Sequence, residues 1–416
     1  MEPDSKLGMY ESQIKYLRQP ELNLNHFYRA LDVLADAKQE VEGYIFEQNR
    51  TLFNMSIDVV FYDVTTFYFE SKDEDLLRRF GFSKDGKAGD VQVVLGLLVD
   101  KEGRPVGYDI FAGNTFDGKT LEPFLTRLRS RFSIQRIIIV ADRGINSKVN
   151  LLRLKELGYG YIVACRLKGM GKNIKEQVFT DVGYKSIEMQ DEVFKYKIIE
   201  HQNRVRENEK MFHSLDENII VSYSSKRARK DAHDRERLIK KAEELMEAPS
   251  KIKALNKKGG RKYLTEQADD TSKIKWQIDR QLIEHDRAYD GYYAIQTSEK
   301  KLQPSDVIEA YHNLWKIEES FRIMKTTLEV RPIFHWTEKR IRGHFVLCFL
   351  SFLMMRTLEI LLTEQGLSVN NIREALNSLT VTKFSIKDET VYLKNKPDVL
   401  ANIIMRKLKI KPLVPL

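Results

Sequence analysis

The order of apolar runs between residues 57 and 167 leaves few folds open to this chain. Three β-rich runs come first: 57-IDVVFYDVTTFYFE-70, 91-VQVVLGLLVD-100 and 105-PVGYDIFAG-113. β-Branched and aromatic residues fill them, and the turn-forming stretches 81-GFSKDGKAGD-90 and KEGRP separate them, so they read as an antiparallel meander. The rhythm then changes. Residues 117–132 place Leu121, Phe124, Leu125 and Leu128 at helical spacing, 136-RIIIVADRG-144 is a strand, 146–157 a helix and 159-YGYIVACRL-167 a strand. Three antiparallel strands followed by helix, strand, helix, strand predict a mixed α/β sheet flanked by helices.

The rest of the chain is laid out around that core. Residues 1–50 read as an N-terminal helical segment, chiefly 25–48, with Phe27, Leu31, Val33, Leu34 and Tyr44 among its apolar positions. The core is expected in two parts, 51–167 and 289–366, the second resuming at 290-DGYYAIQTS-298. Between them, 168–288 breaks the alternation and reads as an insertion subdomain. It has β character at 193–202 and 218–224, an Arg/Lys-dense helix over 226–247 and a Gly-Lys loop, 257-KKGGRK-262. Residues 367–416 read as a helical C-terminal tail ending in lysines.

One stretch, 305-SDVIEAYHNLWKIEESFRIMKTTLEVRP-332, opens on the cap candidates Ser305 and Asp306 and closes before Pro332. That predicts a single helix of about six turns. Leu314, Ile317, Phe321, Met324 and Leu328 form its buried seam, while Tyr311, Glu318, Arg322 and Lys325 share a face beside the seam. A second helix, 337–365, is apolar over most of its circumference and is expected to be buried.

Composition narrows the partners. The chain carries a net charge of +9, and residues 225–265 hold 14 Lys and Arg against 6 Asp and Glu, whereas residues 1–62 hold 6 against 10. Charge alone does not separate a nucleic-acid partner from a membrane or simple solubility. In a protein with a phosphodiester-cutting site the basic segment would be a DNA-backbone surface, with Arg227, Arg229, Lys230, Arg235 and Lys241 as its contacts; the bland alternative is a solvated helix. Cys165 and Cys348 lie far apart, giving neither a disulfide framework nor a zinc site, which fits a cytoplasmic protein. The longest greasy run, 345-FVLCFLSFLMM-355, stops at Arg356, short of the roughly 20 residues a membrane span needs, so no membrane partner is expected.

Two aspartates stand where strands disfavour them. Asp63 lies inside the first strand, and Asp142 ends the apolar run Ile137–Val140 at a strand's carboxyl end, where open α/β sheets place ligands. Each alone is read as easily as a strand-end acid, and Glu318 as an ordinary helix-flank partner of Arg322. Three carboxylates on three apolar elements would repel one another unless a cation joined them. Magnesium or manganese, two ions together, suits such oxygen ligands and suits phosphodiester chemistry.

At this point the chain resembles the DDE transposases of bacterial insertion sequences, in the group with the Tyr–Arg–Glu–Lys signature. The segment 311-YHNLWKIEESFRIMK-325 supplies Tyr311, Glu318 and Lys325 at the signature's spacing, with Leu314 where the group usually has Arg. FYDVTTFYFE, IIIVADRG, YIVACRLK, DGYYAIQTS and LEVRPIFHW also resemble the family. The resemblance implies a ribonuclease-H-like sheet interrupted before the Glu-bearing helix, and Asp63, Asp142 and Glu318 as catalytic metal ligands. It implies contacts from Tyr311, Arg322 and Lys325 to double-stranded DNA, cleavage and strand transfer at element ends, and a homodimer holding two ends, nucleoid-associated in a bacterial cytoplasm. The alternatives are a non-catalytic DNA-binding remnant of such an enzyme and a P-loop ATPase. The latter rests on 113-GNTFDGKT-120, which fits G-x-x-x-x-G-K-[ST] but also reads as a tight turn. Tyr292 and Tyr293 are candidates for stacking on a displaced base.

Overall fold

The computed structural model describes residues 3–17, 21–52, 59–87, 89–132, 137–189, 192–206, 211–248, 252, 259–268, 274–386 and 389–410. The chain divides into two compact units, one of residues 1–161 with 309–416 and one of residues 162–308.

In the first unit, α1 (Lys6–Ser12), α2 (Leu24–Asp36) and α3 (Lys38–Leu52) precede the sheet, so the expected N-terminal helix is interrupted at Ala37. Asn23 starts α2 with a reciprocal cap: its side chain accepts from the His26 amide, and its own amide donates to His26 Nδ1. Strands β1 (Val59–Tyr68), β2 (Gln92–Asp100) and β3 (Pro105–Ala112) form the expected meander. Residues 57 and 58 of the first predicted strand lie outside the described residues. After α4 (Leu121–Phe132) comes β4 (Ile138–Ala141), which pairs with β1 in parallel, so the strand order is β3-β2-β1-β4. Helix α5 (Lys148–Glu156) follows, and β5 (Gly160–Ala164) carries the chain into the second unit. β2 is buried along its whole length. At Gly96 a side chain would stand 2.6 Å from the Tyr62 hydroxyl, so this glycine makes room for a fully buried tyrosine.

The second unit contains α6 (Lys172–Phe179), β6 (Lys185–Met189), the long hairpin of β7 (Glu192–Arg206) and β8 (Phe212–Ser224), and the basic helix α7 (Ser225–Glu247). β9 (Leu264–Ala268), β10 (Ile274–Ile278), α8 (Arg280–Arg287) and β11 (Tyr292–Thr297) complete it. Its strands run β5-β11-β8-β7-β6, with β9 and β10 as a separate hairpin. β11 forms antiparallel ladders to both β5 and β8. Lys257 and Lys258 of the predicted Gly-Lys loop lie outside the described residues. The rest of it is a 3₁₀ turn in which Arg261 is buried over the Trp276 ring, 4.0 Å from its centroid.

The predicted six-turn helix is three pieces. α9 (Pro304–His312) ends in a turn at Asn313–Leu314, α10 (Trp315–Arg322) restarts, and Ile323–Thr327 is a π-helical turn. Tighter bonds from Leu314 N to Tyr311 O and from Ile317 N to Leu314 O make the break. The seam residues Leu314, Ile317, Phe321 and Met324 are nevertheless buried, and Leu328 is half-buried.

Helix α11 (Glu338–Leu361) packs on α2 and β3. By length and composition it would pass for a membrane span. Here Ile341, Phe345, Phe349, Phe352 and Met355 are core residues. Gly343 sets the α2 contact, since a Cβ there would lie 1.9 Å from the Leu31 carbonyl oxygen. The end of the chain is not purely helical. Between α12 (Val369–Asn377) and α13 (Val399–Lys407) it forms an antiparallel pair, β12 (Val381–Ile386) with β13 (Glu389–Lys394).

Candidate active site

The β1–β4 ladder runs in parallel from Val59 opposite Ile138 to Tyr62 opposite Ala141. One step further along both strands come Asp63 and Asp142. Neighbouring strands lie about 4.8 Å apart, so the register alone makes these two acids neighbours. The strand positions singled out in the sequence therefore converge in the first unit.

The side chains are held by local bonds. Asp63 Oδ1 accepts from the Val64 amide at 2.7 Å, and Asp142 Oδ1 accepts from Gly144 N at 2.7 Å. Asn150, in the first turn of α5, donates to the carbonyls of Gly118 and Ile145, both at 2.8 Å, tying the turn after β4 to the turn before α4. Tyr62 fixes that second turn from below: its hydroxyl donates to Thr120 Oγ1, which donates to the Asp117 carbonyl. Asp117 is thereby brought to the acid pair.

The field at Asp63 is unusual. Its side chain keeps 19% of its surface exposed, and its carboxyl is raised to about 7, chiefly by burial, with Lys84 and the Val64 amide acting to lower it and Asp142 and Asp117 to raise it. Lys84 Nζ lies 4.0 Å from Asp63 Oδ1 and 3.1 Å from Asp117 Oδ2, and it donates to the Val64 carbonyl. Lys84 thus places a positive charge among these carboxylates.

Glu318 sits on α10, which packs against β1 and β2 through the buried side chains of Ile317, Ser320 and Phe321. Arg356, buried in α11, anchors that helix by donating to Glu319 at 2.8 Å. Glu318 itself is exposed and makes no hydrogen bond or ion pair among the described residues. Nor do the described residues contain a group of three acids, histidines or cysteines close enough to hold a metal. The structure brings together the two aspartates; it does not gather the glutamate with them.

The cations of the α10 region divide. Arg322 is exposed and pairs with Glu319 at 3.2 Å. Lys325, in the π turn, lies 5.6 Å from the Phe67 ring centroid, and its ammonium bonds Asp85 at 3.0 and 3.3 Å. Arg331 also reaches Asp85, at 2.5 Å. Tyr311 is half-buried on α9. Lys84, Asp85, Asp117 and Arg331 were not singled out in the sequence. The first three lie in turns, whose periodicity carries no signal, and Arg331 was visible only as part of LEVRP.

The remaining sequence candidates lie in the second unit. Arg229, Lys230 and Lys241 are exposed on α7, and Arg227 is exposed with its guanidinium 4.6 Å from the Tyr293 ring centroid. Arg235 differs: its side chain is mostly buried in an ion pair with Asp290. Tyr292 packs into an aromatic cluster with Phe179 and Tyr223, so its ring is already occupied. The GNTFDGKT run is a turn, closed by bonds from Thr115 N to Ala112 O and Lys119 N to Phe116 O. It follows β3, which ends the strand order and runs antiparallel to β2. A phosphate-cradling loop follows a parallel strand instead.

Residues 54–354 match a family model described as the transposase DDE domain. No curated relative matches the chain at a significant level. Among solved structures, a cryo-EM structure of a piggyBac transposase synaptic complex with hairpin DNA aligns over 97% of this chain and 78% of its own, at 8% identity and a TM-score of 0.40.

Proposed function

The chain belongs to the DDE-domain transposases, and from that premise we propose that it cuts insertion-sequence ends and joins them to target DNA at the Asp63–Asp142 pair. The observation that carries this reading is the β1–β4 register, which makes neighbours of two acids from distant parts of the chain. The order β3-β2-β1-β4, with β4 parallel to β1, supports reading this sheet as ribonuclease-H-like.

The residues fit a divalent metal by their donor chemistry. Asp63 and Asp142 offer hard oxygen ligands side by side where the β1–β4 pairing ends. Asp63 and Asp142 would hold magnesium or manganese, with Glu318 as the third acid the family reading assigns. Bound there, the metal would activate a nucleophilic oxygen and stabilise the leaving oxygen of a phosphodiester.

The chain's own groups supply the rest. Lys84 offsets the charge of the acid pair while no metal neutralises it. Lys325 carries positive charge beside β1, where it can balance the charge that builds up on a phosphate in the transition state. Tyr311 and Arg322 lie in the same chain segment and are proposed as outer DNA contacts, as are Arg227, Arg229, Lys230 and Lys241 on α7. The working unit is a homodimer on double-stranded DNA, bringing two element ends together in the bacterial cytoplasm.

Paired cleavage and gel-shift assays on end-containing DNA with magnesium or manganese test this reading. Glu318→Gln is expected to abolish cleavage and spare binding. A wild-type chain that binds such DNA but never nicks it with either metal, even when fused to an end-recognition domain, is a DNA-binding remnant instead.

A further inference from the structure

The turn Ser83–Lys87 lies along β1 and places two charges. Ser83 Oγ accepts from the amides of Asp85 and Lys87, which shapes the turn, and the Lys84 amide donates to Thr66 Oγ1, which fastens it to the strand. From this support Lys84 reaches the acids and Asp85 reaches the bases. The Asp85 carboxylate accepts from Lys325 through both oxygens and pairs with Arg331. All three side chains are largely covered: 13% of Asp85, 11% of Lys325 and 22% of Arg331 remains exposed. The Arg331 guanidinium and the Lys87 ammonium both stand over the Tyr68 ring, at 5.8 and 5.3 Å.

Two cations converging on one small oxyanion, beside aromatic walls, is how a phosphate is held. Here the oxyanion is a carboxylate of the chain itself, carried on a turn rather than on a strand or helix. We propose that Lys325 and Arg331 form a seat for one DNA backbone phosphate next to the acid pair, and that Asp85 fills this seat in the DNA-free chain. Arg331 is thereby a DNA-binding residue, and Asp85 must leave before a phosphodiester enters. The inference rests on the transposase reading for the identity of the phosphate.

Binding without metal tests the seat apart from catalysis. Anisotropy of a short labelled duplex is measured over a salt series for wild type, Asp85→Asn, Asp85→Asn with Arg331→Gln, and Asp73→Asn. The last is an exposed residue whose change alters net charge equally. Asp85→Asn should bind on the order of tenfold tighter at low salt with the wild-type salt slope, because the same phosphate is engaged without first displacing a carboxylate. Adding Arg331→Gln should cancel this effect, and Asp73→Asn should show little of it.

An Asp85→Asn chain that melts like wild type yet binds no tighter overturns the proposal, as does a tightening that Asp73→Asn reproduces. Should Asp85→Asn fail to fold, Arg331→Gln alone reads the same seat. A salt slope lowered by about 0.9 supports it and an unchanged slope overturns it. A chain that passes these tests but never cuts DNA, even when fused to an end-recognition domain, keeps the seat and loses the proposed cleavage activity. A chain that cuts normally but fails them loses only the seat.

Discussion

The ammonium of Lys84 stands 4.0 Å from a carboxylate oxygen of Asp63, one of the two acids proposed to hold a divalent cation. At that separation two unit charges interact by up to about 4 kcal/mol at an effective dielectric near 20, so the lysine and a metal compete for the same field. Lys84→Met should therefore tighten manganese binding, read by calorimetry, by about tenfold. Weaker binding in the variant would mean that Lys84 helps to build the site and does not compete for it.

The contact between α2 and α11 depends on the missing side chain at Gly343. Because a Cβ would meet the Leu31 carbonyl at 1.9 Å, Gly343→Ala must separate two helix backbones. The expected loss of stability is about 1–3 kcal/mol in denaturant unfolding. A change within about 0.5 kcal/mol would show that the two helices do not approach so closely.

Acid should weaken the second unit through Asp286. Burial raises this carboxyl, but hydrogen bonds and charge from Lys168 and Lys262 outweigh it and hold the group down at about 2. A carboxyl depressed on folding stabilises above its unfolded value near 4 and loses that contribution as pH falls towards 2. Its share is about 2 kcal/mol, and Asp286→Asn should remove it together with the corresponding slope in a melting-temperature series from pH 5 to 2. An unchanged slope would assign the acid sensitivity to other groups.

The basic residues of α7 are expected to separate by role. Neutralising the exposed Arg229, Lys230 and Lys241 should leave the fold intact and reduce the salt dependence of DNA binding by about 0.9 for each phosphate they neutralise in the wild type. Arg235→Gln should instead destabilise the second unit by roughly 1–3 kcal/mol, because its partner Asp290 is only 17% exposed. If the triple variant keeps the wild-type slope, α7 is a solvated helix and no DNA surface.

The sheet was legible because β1, β2 and β4 are continuous apolar runs, and an aspartate inside or at the end of such a run stands out. Asp63 and Asp142 could be paired from sequence for that reason. The long helix was misread because the break at Asn313–Leu314 and the π turn at Ile323–Thr327 leave the apolar spacing intact; periodicity does not reveal a hydrogen-bond shift. The β12–β13 pair was missed although Val381, Phe384, Val391 and Tyr392 supply strand-forming residues. The contact of Asp85 with Lys325 joins residues 240 positions apart through a turn, and no local pattern announces it. Arg235 looked like its neighbours on a basic helix until Asp290 appeared beside it.

The most direct test of the account is single-turnover cleavage of DNA bearing the element's terminal repeats, with magnesium or manganese, for wild type against Asp142→Asn. If the adjacent acids on β1 and β4 do the chemistry, the variant should bind that DNA as well as wild type and cut it at least about a thousandfold more slowly, a barrier rise of about 4 kcal/mol. An Asp142→Asn chain that folds, binds and cuts within about tenfold of wild type would contradict the account.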